Sequence, residues 1–296
     1  MLLKRGTLWD KIISTTEMAI RTGALQPIPT EYEFLEDSGI RFFVRILSNL
    51  SRKEEARKKQ ERESLAGREI NPFLPYEEDL FVSDISKTHI ALLNKFNVVE
   101  HHLLIVTREF EDQEMLLTIN DFEALLACMA EYNSLGFYNG GETAGASQKH
   151  KHLQLVPLPL APEGPSVPVE PLLRAAEFHG DLGTVPGFPF QHFFTRLKAG
   201  ILQCPEEAFA VYTEMIRRSG LESKEESAGK RQSGPYCLLV TRTWMLLVPR
   251  SREFFDSISV NSLGFAGALL VRDRDQLKLI EKTGPMQALA TVAAPF

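Results

Sequence analysis

Apolar residues along this 296-residue chain form two patterns, continuous runs typical of buried strands and a recurrence typical of an amphipathic helix. Residues 98–107, VVEHHLLIVT, are rich in β-branched and apolar side chains, and they predict a mostly buried strand. After Thr118, whose spacing to Asp121 fits a capping box, apolar residues return at i, i+3, i+4 and i+7. This pattern predicts an amphipathic helix that closes near Gly136.

A second pattern, near the C-terminus, predicts a hairpin. Residues 236–241 (YCLLVT) and 244–249 (WMLLVP) are two apolar runs of strand length, joined by a short turn. Helices and strands therefore alternate without the regular strand–helix–strand rhythm of a parallel sheet. The predicted fold is α+β, with an antiparallel sheet that is flanked by helices.

Three polar or proline-rich stretches interrupt these elements. Residues 51–63 are almost all charged and predict a solvated helix or loop, and residues 219–235 predict a surface loop or a boundary. Six prolines within residues 156–172 forbid a helix or a central strand and predict an extended connector. The string NSLGF occurs twice, at 133–137 and 261–265, which leaves open a remnant duplication or a coincidence.

Composition and charge narrow the class of protein. With 44% hydrophobic and 24% charged residues, the chain is expected to fold rather than stay disordered. The net charge of −6 and the pI near 5.7 argue against a protein held on nucleic acid by phosphate contacts. No apolar run is long enough to cross a membrane. Because Cys128, Cys204 and Cys237 form no C-x-x-C pair and the N-terminus shows no signal-peptide pattern, a cytoplasmic location is expected.

A glycine-rich stretch carries the first sign of chemistry. Gly140, Gly141 and Gly145, with Ser147, lie between a predicted helix and a predicted strand. Glycines leave backbone N–H groups open to close approach, so this loop is suited to bind phosphate oxygens. Such a local cluster of donors can bind a small anionic ligand even in an acidic protein.

The strand that follows places polar side chains on one face. Because successive strand residues point to opposite faces, His150, His152 and Gln154 are predicted to project together, and Lys151 away from them. A neutral imidazole whose other nitrogen stays protonated can attack phosphorus, and a glutamine amide can donate to a phosphate oxygen. Two other interpretations stay open: metal ligation by the two histidines, and plain packing.

These residues resemble a known family. HKHLQ at 150–154 matches the H-x-H-x-Q signature of the histidine-triad superfamily, in the branch that contains galactose-1-phosphate uridylyltransferase and the diadenosine tetraphosphate phosphorylases. The resemblance to the phosphorylases, also called ATP adenylyltransferases, is the stronger one. It rests on strings that span most of the chain, namely LLNKF at 92–96, HLLIVT at 102–107, YNGG…GASQKHKHLQ at 138–154, WMLLVPRS at 244–251 and NSLGFAGALLV at 261–271.

The resemblance implies roles for individual residues. His152 corresponds to the nucleophile that becomes adenylylated, His150 orients it through its main-chain carbonyl, and Gln154 holds the phosphoryl group. The other implied contacts are all with substrate, and they involve Lys53, Asn94, Lys95, Asn139, Gly145, Ala146, Ser147, Gln148, Asn261, Ser262, Leu263, Ala268 and Arg272.

Three of these positions allow another choice or depart from the family's pattern. Arg52 or Lys58 can take the place of Lys53. Ala268 stands where relatives have methionine, and Arg272 stands where they have lysine. Arginine keeps the positive charge but presents a planar fork in place of a point charge, which changes the geometry of that contact.

The resemblance also implies an activity and an organisation. The reaction is the reversible phosphorolysis of diadenosine tetraphosphate to ATP and ADP through an adenylyl-histidine, with Mg²⁺ accompanying the nucleotide and no tightly bound metal in the protein. Residues 1–204 would form a histidine-triad-like domain, and residues 205–296 a C-terminal domain that completes the site. The partners are the small molecules diadenosine tetraphosphate, phosphate, ATP and ADP, without nucleic acid or membrane. The alternatives are another histidine-triad nucleotidyltransferase, a dinucleoside polyphosphate hydrolase, or a nucleotide-sensing or metal-binding module without catalysis.

Overall fold

A computed structural model describes residues 1–47, 71–222, 225–226 and 229–296, whose strands form one large sheet, one small sheet and two short hairpins. Within these residues the large sheet has ten strands, each antiparallel to its neighbours. From one edge to the other they are β3 (Phe81–Asp84), β4 (His89–Leu93), β5 (Leu103–Thr107), β7 (His152–Pro157), β6 (Ser134–Gly140), β13 (Tyr236–Val240), β14 (Trp244–Pro249), β10 (Phe193–Arg196), β9 (Leu182–Thr184) and β8 (Glu177–His179).

The small sheet joins the N-terminal part of the chain to the C-terminal part. It contains β1 (Thr30–Asp37), β2 (Ile40–Leu47) and β17 (Ala268–Val271), and β17 runs parallel to β2. Two short hairpins pair β11 (Glu225–Glu226) with β12 (Gly229–Lys230), and β15 (Phe254–Phe255) with β16 (Ile258–Ser259).

Helices pack against the large sheet from both sides. None of the helices in the described ranges is long and apolar enough to cross a lipid bilayer. In chain order they are α1 (Leu8–Thr22), α2 (Ile119–Glu131), α3 (Glu170–Leu173), α4 (Pro205–Ser219), α5 (Ser262–Phe265), α6 (Arg274–Thr283) and α7 (Pro285–Val292).

Strand β7 shows how the two faces of the large sheet differ. Leu153 and Leu155 belong to the apolar core that the sheet shares with α1, α2 and α4. Val156 belongs to the core on the opposite face, which includes α6, α7 and the small sheet. Because side chains alternate along a strand, His152 and Gln154 share the face of Val156 and turn toward the C-terminal elements.

The predicted α+β fold, its antiparallel sheet and the C-terminal hairpin of β13 and β14 are confirmed. The β11–β12 hairpin lies within the predicted surface loop 219–235, and the charged segment 51–63 lies outside the described residues. Pairing of β6 with β13 joins the regions on both sides of residue 204 in one sheet. The division into residues 1–204 and 205–296 stays a prediction.

The strand predicted over residues 98–107 is shorter than expected. β5 begins at Leu103, because residues 98–102 form a turn in which His101 has a positive φ of 56°. A positive φ is incompatible with a strand, so Val98 and Val99 belong to the turn, whereas the later β-branched residues, from Ile105 onward, lie in β5 as predicted.

The helix predicted after Thr118 is present, but its predicted end is wrong. The capping box is confirmed, since the Thr118 N–H donates to Asp121 Oδ2 at 2.6 Å. The helix α2 ends at Glu131, and Gly136 lies inside β6. A Cβ at Gly136 would lie 2.8 Å from Leu125 Cδ1, so this glycine allows close packing of α2 on β6 and does not end the helix.

The two NSLGF strings adopt different structures. Most of the first string lies in β6, whereas Ser262–Phe265 of the second forms α5. The side-chain oxygen of Asn261 accepts the N–H of Leu263 at 3.0 Å and caps this short helix. Contacts with the rest of the fold, and not the string itself, therefore decide between strand and helix.

The proline-rich connector is folded against the core and is not extended. It begins at the end of β7 and finishes in α3, with Pro171 in the first turn of that helix. Between these elements Val167 is buried, and the Leu160 N–H donates to the Ser166 carbonyl at 2.9 Å. The prediction that prolines forbid a helix or a central strand over 156–172 is wrong at its two ends, where Pro157 belongs to β7 and Pro171 to α3. Residues 158–169 between them contain neither a helix nor a strand.

Lys151, between the two histidines of the HKHLQ string, is fully buried on the side of the large sheet that packs against α2. Lys151 Nζ donates to Asp121 Oδ2 at 3.0 Å, to Glu111 Oε2 at 3.0 Å and to the Leu116 carbonyl at 3.1 Å. Asp121 also accepts a hydrogen bond from His89 Nε2 at 3.1 Å. Burial by itself would raise the pKa of the Asp121 carboxyl, but the hydrogen bond from His89 and the charge of Lys151 outweigh it and hold this pKa well below its usual range.

Replacing Asp121 by asparagine is expected to destabilise the protein, because the buried ammonium group of Lys151 loses a charged partner. Breaking such a pair costs about 3 kcal/mol, and we expect a loss of that size in the free energy of unfolding by urea at pH 7. Because the folded protein lowers the pKa of Asp121, its contribution is present above about pH 4 and is lost in acid. The deficit of the variant should therefore shrink as the pH falls below about 4.

The matched control is Asp275→Asn, since Asp275 forms an ion pair with Lys278 in which both side chains are exposed. This control should change the free energy of unfolding by less than about 0.5 kcal/mol. A deficit for Asp121→Asn that is the same at pH 7 and in acid would contradict the assigned pair.

Candidate active site

Strands β5, β6 and β7 bring two residues of the HKHLQ string, His152 and Gln154, to one face of the large sheet. His152 lies opposite Val106 of β5, and Gln154 lies opposite Leu104 of β5 and Phe137 of β6. The exposed fractions of His152 and Gln154 are only 4% and 8%. Their spacing along a strand therefore places both polar side chains in a nearly dry site.

The hydrogen bond of His152 decides which of its ring nitrogens carries the lone pair. Its Nδ1 lies 2.8 Å from the carbonyl oxygen of His150. A carbonyl oxygen only accepts, so Nδ1 carries the proton and Nε2 carries the lone pair. Burial lowers the pKa of His152 from 6.5 to about 4, so the ring is neutral near pH 7. The site thus presents a neutral imidazole nitrogen suited to nucleophilic attack.

His150 is itself held at both ring nitrogens. Its Nε2 donates to the Thr107 carbonyl at 2.8 Å, and its Nδ1 accepts from Asn71 Nδ2 at 2.9 Å. The direction of the Asn71 amide follows from its Oδ1, which accepts the N–H of Phe73 at 3.0 Å. With both nitrogens in hydrogen bonds, His150 is better suited to fix its own carbonyl beside His152 than to bind a metal ion through its ring.

Gln113 is a residue of this site that the sequence does not single out. Its Oε1 accepts the N–H of His152 at 2.8 Å, and its Nε2 donates to the carbonyls of Asn139 at 2.9 Å and His152 at 3.3 Å. The amide satisfies backbone groups beyond the last paired residues of β6 and β7. One glutamine in the string EDQEM has no periodicity or spacing by which it could have been found.

The glycine-rich loop packs against the C-terminal part of the chain. Gly145 has φ +94°, which favours glycine, and a Cβ there would lie 2.8 Å from Asn261 Cβ. The N–H groups of Gly145 and Ala146 donate within the loop, to the carbonyls of Glu142 at 2.8 Å and Gly141 at 3.2 Å. A phosphate would therefore compete with the loop's own carbonyls for these two donors. Ser147 and Gln148 continue the loop toward His150.

A buried arginine holds the same loop from the side of β14. Arg250 is only 4% exposed, and its Nη1 donates to the Ala144 carbonyl at 3.2 Å. Its Nε donates to the Val292 carbonyl at 3.1 Å, and its Nη2 to the Arg252 carbonyl at 2.8 Å. The guanidinium therefore ties the loop to the end of α7.

Asn139 and Ser262, both predicted as substrate contacts, lie in direct contact. Asn139 Oδ1 accepts the N–H of Ser262 at 2.9 Å and its hydroxyl at 2.6 Å. Leu263, next along α5, is half-buried and donates its N–H to Asn261. The structure thus brings Asn139 and Gly145, from the middle of the chain, together with Asn261 and Ser262, more than 110 positions later.

Asn94 and Lys95 follow directly after β4. Asn94 Nδ2 lies 3.2 Å from His102 Nδ1, and Lys95 Nζ forms a salt bridge with Glu77. His102 in turn contacts Gln154, with its Nε2 3.0 Å from Gln154 Oε1. The sequence places His102 only in a buried strand, so its contact with the site is a finding of the structure.

The remaining residues predicted to contact substrate are of two kinds: two lie in or next to the small sheet, and the others are outside the described residues. Ala268 lies at the start of β17, and Arg272 follows its end, with its Nε 3.4 Å from Asp273 Oδ2. Lys53, with its alternatives Arg52 and Lys58, lies outside the described residues.

Family models match both parts of the chain. Residues 1–175 match the Ap4A phosphorylase N-terminal domain, where Ap4A denotes diadenosine tetraphosphate, and residues 186–295 match the ATP adenylyltransferase C-terminal domain. Both matches agree with the branch that the H-x-H-x-Q string and its accompanying strings suggest.

Individual relatives are found in Saccharomyces cerevisiae. The chain is 28% identical over 299 residues to diadenosine 5',5'''-P1,P4-tetraphosphate phosphorylase 2, which covers 92% of this chain and 89% of the relative. It is 30% identical over 216 residues to Protein APA1, which covers 67% of this chain and 66% of that protein. The crystal structure of yeast Ap4A phosphorylase Apa2 superposes with a TM-score of 0.79 at 25% identity, over 100% of this chain and 99% of that one. The chain therefore belongs to the family of proteins that combine an Ap4A phosphorylase N-terminal domain with an ATP adenylyltransferase C-terminal domain.

Proposed function

We propose that the protein catalyses the reversible phosphorolysis of diadenosine tetraphosphate to ATP and ADP, through an adenylyl group carried on His152. The observation that carries this proposal is the neutral His152 ring, whose Nδ1–H is held by the His150 carbonyl at 2.8 Å. Membership of the family supports the substrate, since the related yeast phosphorylase superposes with a TM-score of 0.78 in its complex with Ap4A.

In the first half-reaction His152 Nε2 attacks the α-phosphorus, the phosphorus bonded to one of the two adenosines of the substrate. A nitrogen–phosphorus bond forms, the bond from that phosphorus to the bridging oxygen breaks, and ATP leaves with that oxygen. The ring gains positive charge as the bond forms. The His150 carbonyl, which accepts the Nδ1 proton, stabilises this charge without a proton transfer.

In the second half-reaction an oxygen of inorganic phosphate attacks the same phosphorus. The nitrogen–phosphorus bond breaks, ADP is released, and the lone pair returns to His152 Nε2. Gln154 donates its amide to the phosphoryl oxygens in both steps, which stabilises the negative charge that they carry. Run in reverse, the same steps join ATP and ADP.

The proposal also includes two basic side chains, Lys95 and Arg272, and a Mg²⁺ ion that accompanies the nucleotide. Lys95 and Arg272, paired with Glu77 and Asp273, are partly exposed side chains that a polyphosphate can reach. The described residues contain no group of three or more His, Cys, Asp or Glu side chains that could hold a metal ion. We therefore assign Mg²⁺ to the oxygens of the polyphosphate, which it prefers as ligands.

We also assign the protein to the cytoplasm, since its three cysteines are free thiols.

His152→Ala should abolish the covalent intermediate and lower kcat by about 10⁴-fold or more, because no other group replaces the nucleophile. Incubation with Ap4A labelled at the α-phosphorus, followed by denaturation without acid, should leave label on the parent protein and none on the variant. His179→Ala, which changes an exposed histidine of β8, is the matched control and should label normally. Full labelling of His152→Ala would exclude the mechanism.

Turnover should depend on inorganic phosphate, because phosphate is the acceptor that releases ADP. With labelled phosphate, the label should appear in the β-phosphate of ADP, and without phosphate the reaction should stop after one release of ATP per site. Formation of AMP without phosphate would indicate a dinucleoside polyphosphate hydrolase. Tight nucleotide binding without any product would indicate a sensing module.

The rate of the first half-reaction should change little with pH near neutrality, because His152 stays neutral there. Protonation of Nε2 removes the lone pair, so the burst of ATP release should be constant from about pH 6 to 8 and fall below about pH 5. This follows from the lowered pKa of His152, about 4. A burst rate that titrates with the ordinary histidine pKa of 6.5 would contradict the assigned burial of the ring.

A further inference from the structure

Gln154 has one end of its amide already in use. Its Oε1 lies 3.0 Å from His102 Nε2, and both side chains are buried, with 8% and 7% exposed. An amide oxygen only accepts, so this contact is a hydrogen bond only if His102 Nε2 carries a proton. The direction of the Gln154 amide therefore depends on the tautomer of His102.

A backbone group decides that tautomer. Asn94 Oδ1 accepts the N–H of Phe96 at 3.3 Å, and a backbone N–H can only donate. This turns Asn94 Nδ2 toward His102, where it donates to Nδ1 at 3.2 Å. His102 Nδ1 therefore carries the lone pair, and Nε2 carries the proton that Gln154 accepts.

The strands on either side keep this chain of hydrogen bonds in register. The Asn94 N–H donates to the His102 carbonyl at 2.9 Å, next to the last pair of β4 and β5. Burial lowers the pKa of His102 from 6.5 to about 4, although its hydrogen bond to Gln154 acts in the opposite direction. Near pH 7 the ring is therefore neutral, with a proton on only one of its two nitrogens.

A matching pair of an oriented asparagine and a histidine is found at His150. There the N–H of Phe73 orients Asn71, and Asn71 donates to His150 Nδ1 at 2.9 Å. In both places an asparagine is oriented by the backbone N–H two residues later, and it leaves the histidine Nε2 as the donor. One histidine so held lies beside the nucleophile, and the other lies beside Gln154.

We propose that His102 is a positioning residue, which with Asn94 turns the Gln154 amide so that its Nε2 hydrogens face the phosphoryl oxygens of the adenylyl group. This inference rests on the proposed function. It assigns to Asn94 an orienting role, where the resemblance implied only contact with substrate. With the amide reversed, Gln154 Oε1 would face those oxygens, and two acceptors would repel each other.

The effect should fall on kcat more than on KM. The donation from Gln154 matters most where negative charge develops on the phosphoryl oxygens in the transition state. A residue that acts only through Gln154 can have no effect once Gln154 has been removed.

Three variants of His102 separate positioning from packing. The amide nitrogen of glutamine reaches the place of His102 Nε2 and can donate to Gln154, whereas the shorter asparagine reaches only the place of Nδ1. His102→Gln should keep kcat within about tenfold of the parent, and His102→Asn and His102→Ala should lower it about a hundredfold, with KM within about threefold. His192→Ala removes a buried histidine that bonds to the Phe190 carbonyl and the Val185 N–H, and it serves as the control for burial alone.

A double-mutant cycle with Gln154→Ala is the decisive measurement. In that background His102→Ala should change kcat by less than about threefold, since Gln154 is no longer there to be oriented. An equal loss in both backgrounds, or a His102→Gln variant as impaired as His102→Ala, would overturn the inference.

The tautomer can be read without any substrate, which separates this inference from the proposed function. In ¹⁵N spectra of the full chain, His102 should show a protonated Nε2 and an unprotonated Nδ1. The opposite tautomer would overturn the inference even in an active enzyme. Failure of the unmodified protein to form ADP from Ap4A and phosphate would instead contradict the proposed function.

Discussion

Strand β7, with Lys151 just before it, places alternate side chains in two different environments, and the rest of the site depends on this constraint. Lys151 and Leu153 enter the core beneath the helices, while His152 and Gln154 turn to the opposite face. A shift of one residue in its pairing would bury the imidazole in the core and move the lysine out. The bond of Lys151 to Asp121 at 3.0 Å is satisfied only in the observed register, so a structural ion pair helps to hold the nucleophile in place.

Groups that can only donate or only accept a hydrogen bond determine the orientation of groups that can do both. A carbonyl oxygen assigns the proton of His152, and the backbone N–H groups of Phe73 and Phe96 orient the asparagines that face His150 and His102. Imidazoles and amides are ambiguous alone, but backbone groups are not. The site is thus set in one protonation pattern before a substrate enters, which reduces the reorganisation needed during the reaction.

C-terminal elements of the chain hold the glycine-rich loop beside the nucleophile. Asn139 is fixed by Ser262 of α5, and the carbonyl of Ala144 is held by Arg250 at the end of β14. Close packing of Gly145 on Asn261 leaves no space for a side chain between them. Elements from the ranges matched by both family models therefore contribute to this site.

Local period and chemistry along the chain were enough to predict the α+β class, the hairpin, the capping box at Thr118, and the common face of His152 and Gln154. Features that depend on residues far apart in the chain could not be predicted in this way. Gln113 and His102 join the site through residues 39 and 52 positions away, which no local pattern reveals. The same NSLGF string became a strand in one place and a helix in another, because burial against different partners outweighs its small local preference.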